Sequence, residues 1–190
     1  MKRYIKADII DISDESTEYQ QGLASDPGTS ARVLDRLVKS DDPTIRRRAL
    51  QNPNLSVDSI QECAYTTDAA DLCFLAANPN TPAEFLEQLA ECSDWAVRIQ
   101  VAANPNTPDT VLRKMFQCDE SYVYRYIGNN PKAPYDLLYL LANSDDWGVR
   151  MQVAYNADAP LRILQKLAND SNADIRNVAN HSLEKRGQNG

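Results

Sequence analysis

Five dipeptides, Asp26-Pro27, Asn52-Pro53, Asn78-Pro79, Asn104-Pro105 and Asn130-Pro131, stand 26 residues apart, and Asn156-Ala157 continues the register with its proline lost. A period held this strictly restricts the chain to copies of one supersecondary unit. Stepping by the same interval gives Leu34, Ile60, Leu86, Leu112, Leu138 and Leu164. Three residues on come Leu37, Cys63, Leu89, Met115, Leu141 and Leu167, and one further Val38, Ala64, Ala90, Phe116, Ala142 and Ala168. Apolar residues at i, i+3 and i+4 form one face of a helix.

The start of that helix is expected at Thr81-Pro82 and Thr107-Pro108, where a capping hydroxyl precedes a proline at the first helical position, with Ser56 filling the threonine place in its own repeat. Thr81-Pro82-Ala83-Glu84 also reads as a capping box, in which Glu84 reaches back to the Thr81 amide, and the helix is expected from about Pro82 to Glu91. Ala133-Pro134 and Ala159-Pro160 lack the hydroxyl, which predicts caps weaker by roughly 0.5 to 2 kcal/mol. A second, shorter element is expected after an acid series, Asp42, Asp68, Asp94, Glu120 and Asp146, with Asn172 in sixth place. It carries Ile45, Val97, Val123, Val149 and Ile175, and four residues later Ala49, Leu75, Val101, Ile127, Val153 and Ala179. The next Asn-Pro ends it, since a residue before proline is driven out of the α region, so it is expected as a short α-helix or a 3₁₀ segment.

One such helix pair cannot bury its own stripe, so neighbours must stack and share a core. That predicts an all-α solenoid and excludes two globular domains. The expected organisation is an amino-terminal cap over residues 1–25, six repeats over 26–51, 52–77, 78–103, 104–129, 130–155 and 156–181, and a carboxy-terminal cap and tail over 182–190. Ile5, Ile9, Ile10, Ile12 and Leu23 make the first segment too apolar for a free tail, whereas Gln188 to Gly190 are expected to be mobile. With 43% hydrophobic and 25% charged residues, the chain has the material for a core and is too apolar for a disordered segment.

The block from Ala96 to Leu112, AVRIQVAANPNTPDTVL, resembles the leucine-rich repeat variant family, a branch of the HEAT and armadillo-like helical repeats. The resemblance covers about residues 20–181 and implies a right-handed superhelix that serves macromolecular interaction. The founding member of that family holds an iron–sulfur centre in an amino-terminal cysteine cluster. Residues 1–62 contain no cysteine, so no cofactor is expected.

The expected function is accordingly a non-enzymatic scaffold that binds another protein. Net charge of −7 opposes direct contact with nucleic acid, no segment has the length of a membrane span, and no small-molecule or metal site is evident. His181 is the single histidine and the four cysteines form no CxxC pair, so neither a ligand set nor a catalytic pair is assembled, and the thiols read as reduced in a cytoplasmic protein. Arg46, Arg98, Arg150 and Arg176 share a register position four residues after the acid series, which predicts pairs such as Asp94 with Arg98 and Asp146 with Arg150 in a structural ladder. Leu72 and Tyr124 interrupt it, which leaves Asp68 and Glu120 as unpaired acids. Between Arg48 and Arg98 no base occurs, while Asp58, Glu62, Asp68, Asp71, Glu84, Glu87, Glu91 and Asp94 all fall there.

That acidic window reads either as a solvated face or as a docking surface for a protein with a basic surface. The candidate contacts are Asp68, Asp71, Glu84, Glu87, Glu91 and Glu120, together with Tyr122, Tyr124 and Tyr126 from an aromatic cluster that also includes Phe116, Tyr135 and Tyr139. Tyr126 shares its register with Arg48, Gln100 and Gln152, a solvent-facing row, which suits an interface anchor. Trp95 and Trp147 are expected to cover repeat edges. Two rivals stand beside the scaffold: an acidic inhibitor that mimics DNA, and an enzyme like the HEAT-type alkylpurine DNA glycosylases, which needs a basic groove.

Overall fold

The computed structural model describes Ile12 and residues 15–64, 68–118 and 121–187. Ile5, Ile9 and Ile10 of the expected cap, the candidate Glu120, and the expected tail 188–190 lie outside the described residues. Among the described residues all regular structure is helical: α1 Thr17–Ser25, α2 Ala31–Leu37, α3 Pro43–Gln51, α4 Val57–Cys63, α5 Ala69–Ala77, α6 Ala83–Leu89, α7 Trp95–Ala103, α8 Asp109–Gln117, α9 Ser121–Asn129, α10 Tyr135–Leu141, α11 Trp147–Tyr155, α12 Leu161–Leu167 and α13 Ala173–Gly187. The chain divides into two compact units, residues 1–100 and 101–190.

The helices alternate in the sequence register, but their lengths reverse the expectation. The second helix is the longer in every pair but one, with nine residues in α3, α5, α7, α9 and α11 against seven in α2, α4, α6, α10 and α12 and nine in α8, and it is an α-helix in every case. Its start is fixed by the acid series. The Asp42 carboxylate accepts from the Thr44 amide at 2.7 Å, Asp68 from Ala70 at 2.8 Å, Asp94 from Ala96 at 2.8 Å and Asp146 from Gly148 at 2.7 Å, and Asn172 accepts from Asp174 at 2.8 Å. Every position from there to the Asx residue is helical, whereas the first helix gives up its last turn to the loop.

The apolar rungs are the core. Leu34, Ile60, Leu86, Leu112, Leu138 and Leu164 are all buried, as are Ile45, Val97, Val123, Val149 and Ile175. In the first unit α1 packs on α3 and α3 on α5; in the second, α9 packs on α11 and α11 on α13. Second helices therefore lie side by side in each unit. Helix α1 stands one register step before α3 and is capped by Ser16, which accepts from Tyr19 N, so part of the amino-terminal segment is a further helix of the second type.

The loops are held by two sets of buried side chains, an asparagine series and, in some repeats, a threonine. Asn130 is the pattern: its Nδ2 donates to the carbonyls of Ala102 at 2.7 Å and Asn104 at 2.9 Å, and its Oδ1 accepts from the Lys132 amide at 2.8 Å. Asn52 bonds Ala24 and Asp26 in the same way, Asn78 bonds Leu50 and Asn52, and Asn156 bonds Gly128 and Asn130. Each asparagine thus ties its own repeat to the backbone of the preceding one. Asn156, which has no following proline, keeps the extended backbone of Asn52 and Asn78, so the side-chain bonds hold this geometry without help from the ring. Ser182 ends the series by donating to the Ala154 carbonyl.

The threonines act differently from the expected caps. The hydroxyls of Thr29, Thr81 and Thr107 are buried and donate to the carbonyls of Leu23, Leu75 and Val101, six residues back at the end of the preceding helix. The Thr81 amide is bonded to the Asn78 carbonyl, and so is not left for Glu84 to cap. Ser56 aligns with Pro82 rather than Thr81, and Leu55 takes the threonine place; Ser56 is a true N-cap, accepting from Ser59 N. Ala133 and Ala159 therefore lack a loop-closing bond rather than a cap.

Candidate functional site

The ladder arginines bind loop carbonyls, and the expected pair of Arg150 with Asp146 gives way to Asp170. Arg46, Arg98, Arg150 and Arg176 each donate from Nη1 to the carbonyl six residues back, at Ser40, Cys92, Ser144 and Asp170, over 2.6 to 2.8 Å. These bonds close the loop between the two helices of one repeat. Arg150 finds its acid in Asp170, with Nε at 2.8 Å and Nη2 at 3.1 Å, and Asp146 is held instead by Arg125 of α9 at 2.9 Å. The reason is reach: an arginine one turn after the acid that caps its own helix finds the loop carbonyls in line with its fork. Tyr124 fills the ladder place in α9, where its hydroxyl donates to the Phe116 carbonyl and its ring lies 4.8 Å from that of Phe116, which is half-buried.

Much of the acidic window is already compensated. Asp71 falls on the rung of Ile45, Val97 and Val123, and only 7% of its side chain is exposed. Its two oxygens take Nε of Arg46 at 2.7 Å and Nε of Arg47 at 3.0 Å. Arg47 also reaches Asp68 at 3.2 Å, and Glu62 pairs with Lys39 at 2.9 Å. Asp68 is thus not an unpaired acid, and Asp71 presents no free carboxylate. The sequence window missed these bases because they lie one repeat earlier. The amide of Ala70, and then Arg47, hold the Asp68 carboxyl below its ordinary range. Glu84, Glu87 and Glu91 are exposed on or just after α6, and Asp58 on α4.

Among the tyrosine candidates on α9, Tyr122 and Tyr124 are half-buried and Tyr126 is 39% exposed. Tyr126 borders a cavity of about 300 Å³ with Ala103, Arg125, Asn129 and Gln152. The cavity is open because Ala103 stands where Asn129 and Tyr155 follow in the register. Arg125 lies flat over α11 on its way to Asp146. Gly148 permits this, since a Cβ there would fall 2.7 Å from the guanidinium. The Arg125 bond is the main cause that holds the Asp146 carboxyl below its ordinary range. Trp95 is 60% exposed, and Trp147 and Tyr155 are each 57% exposed.

Sequence reasoning left Tyr135, Tyr139, Leu140, Tyr155 and Leu161 out of the candidate site, and all are about half exposed. Together with Tyr126 and Trp147 they place most of the exposed large apolar side chains in the second unit. Formal charge divides the other way. Residues 1–100 carry 10 bases and 17 acids and residues 101–190 carry 10 of each, so the whole net charge of −7 belongs to the first unit. The acid candidates Glu84 and Glu87 sit on a first helix, and the tyrosine candidates on a second helix. The four cysteines are free, and burial pushes the thiols of Cys63 and Cys73 up. Among the described residues no helix is long and apolar enough to cross a membrane.

No protein-family model and no curated protein matches the sequence. A solved structure described as a leucine-rich repeat variant with a novel repetitive protein structural motif matches 90% of this chain and 68% of its own, at 21% identity and a TM-score of 0.53. By its helices, its register and this likeness, the chain is a helical repeat protein similar in fold to the leucine-rich repeat variant.

Proposed function

We propose that the chain is a non-enzymatic protein-interaction scaffold, a right-handed solenoid of six 26-residue repeats whose partner is another protein with a basic surface. The observation that carries this reading is the exposure of Tyr126, Trp147 and Tyr155 along the second helices of the second unit. Tyrosine and tryptophan are the side chains that most often anchor interfaces. The acids that stay free, Glu84 and Glu87, supply the attraction to a basic partner, whereas Asp68 and Asp71 hold the first unit together.

The test is capture of partners by the immobilised chain, followed by surface-plasmon kinetics at two salt concentrations. Glu84→Lys with Glu87→Lys should slow association, and the loss should shrink as salt rises. Tyr126→Ala should speed dissociation. Unchanged rates in both variants would refute the assignment of this surface.

A further inference from the structure

Two pairs of first helices, α4 with α6 in the first unit and α10 with α12 in the second, expose opposite chemistry. On α4 and α6 the charged residues are Asp58, Glu62, Glu84 and Glu87, with no base among them; Lys39 pairs with Glu62, which leaves Asp58, Glu84 and Glu87, and Val57 is an exposed apolar neighbour. On α10 and α12 the exposed side chains are Tyr135, Asp136, Tyr139, Leu140, Leu161, Arg162, Gln165 and Lys166. The acid of that row, Asp136, is taken by Arg113, whose Nη1 and Nη2 bond both of its oxygens. That pairing is also the main cause that holds the Asp136 carboxyl below its ordinary range. Lys166 donates to the Ala142 carbonyl at 3.0 Å, which leaves its charge uncancelled. The row therefore offers two uncompensated bases around an apolar centre.

That centre is built for contact. The rings of Tyr135 and Tyr139, one helical turn apart, stack at 6.3 Å between centroids, and Leu161 holds the same register as Tyr135 in the next repeat. Leu140 stands on the rung between Lys114 and Lys166, so an exposed leucine interrupts a row of lysines. Stacked aromatics with a basic rim fit a surface that is acidic at its edge and carries a small apolar group, and α4 with α6 is such a surface on this same chain.

We infer that this chain self-associates head to tail, the α10 and α12 face of one copy docking on the α4 and α6 face of a second copy. The inference rests on the scaffold reading in one respect: it supplies the basic surface that Glu84 and Glu87 were assigned to meet. The second-helix row with Tyr126 and Tyr155 stays available to another protein. Because the two faces differ, the contact is heterologous. Two copies close it reciprocally if the geometry permits, and further copies add to a free end if it does not.

Sedimentation of the full chain across a concentration series tests this, with circular dichroism as a check that each variant folds. The wild type should self-associate, more weakly at high salt. Glu84→Lys with Glu87→Lys, and separately Arg162→Glu with Lys166→Glu, should each weaken association about ten-fold or more, since every 1.4 kcal/mol is a factor of ten. Mixing the two double variants should restore it, because each then presents the charge the other lacks. Tyr139→Ala takes a half-exposed ring from the centre of this face and should weaken association while the chain stays folded by circular dichroism. A wild type that stays monomeric, variants that associate as it does, or a mixture that fails to recover would each overturn the inference. Failure here is separable from failure of the scaffold reading: a monomer that still captures another protein through Tyr126 loses the self-contact alone.

Discussion

Asn130 carries the sharpest test of how this fold is held. It is buried to 1% exposure and makes three hydrogen bonds, two donated to the Ala102 and Asn104 carbonyls and one accepted from the Lys132 amide, at 2.7 to 2.9 Å. Each such bond contributes about 0.5 to 1.5 kcal/mol net, and a buried group left without a partner costs about 1 to 3 kcal/mol. Asn130→Ala should therefore cost about 2 to 5 kcal/mol, a large share of the roughly 5 to 15 kcal/mol that stabilises a domain. Asn130→Asp separates bonding from shape. It keeps the volume and the acceptor but loses both donors and sets a carboxylate against two carbonyl oxygens, so it should cost more than alanine at neutral pH. Urea unfolding followed by circular dichroism reads both. An alanine variant within about 1 kcal/mol of wild type, below the low end of that range, would refute the reasoning, as would an aspartate variant more stable than the alanine one.

Three further outcomes follow from the packing. Leu112→Ala should cost about 2 to 5 kcal/mol in urea unfolding, because Leu112 is wholly buried on an all-apolar rung. Asp71→Ala should destabilise by about 1 to 3 kcal/mol, whereas Asp71→Val, which restores the rung, should come within about 1 kcal/mol of wild type, since a buried ion pair often gives no more than a hydrophobic replacement. Arg150 holds the Asp170 carboxyl below its ordinary range, so the folded chain binds fewer protons there than the unfolded chain. That stabilisation is full above the ordinary carboxylate pKa and is lost as pH falls through the lowered folded value. Asp170→Asn should therefore flatten the acid side of a stability–pH profile measured by thermal melts.

The helix stripes were legible because each core position repeats the same side-chain type, and a period of 26 made every rung its own control. The roles of polar residues were harder to read, for a physical reason that differs between them. Asn52 and its equivalents announce themselves as helix stops through the following proline, yet their main contribution is to carbonyls 26 and 28 residues back, which no local spacing reveals. Thr81 reads as a cap for the helix ahead and bonds the helix behind. Asp71 was open to a better reading: an acid on an apolar rung, with Arg46 and Arg47 one step earlier in the register, already describes a core ion cluster. A charge count along the chain hides this, because stacked repeats make residues 24 or 25 positions apart into neighbours. Of the candidate site, Tyr126 was legible from its polar row. Leu140 and Leu161 were not sought, although a leucine between two lysines on one rung is a signal of the same kind.

Every Nδ2 bond described for the asparagine series is addressed to main-chain oxygen, a group that all twenty amino acids carry. The joint between adjacent copies is thus blind to the side chains of the copy it grips, and within a unit the outer surface is free to diverge while the coupling stays constant. It also has a direction, since each copy is fastened by the one that follows it in the chain. Tandem duplication of a whole period would bring its own fastener along, whereas loss of a trailing copy exposes the carbonyls of the one before. Gene-level growth by whole periods is therefore easy inside such a chain, and at the register position after Asn156 the hydroxyl of Ser182 makes the bond to the Ala154 carbonyl in place of an amide.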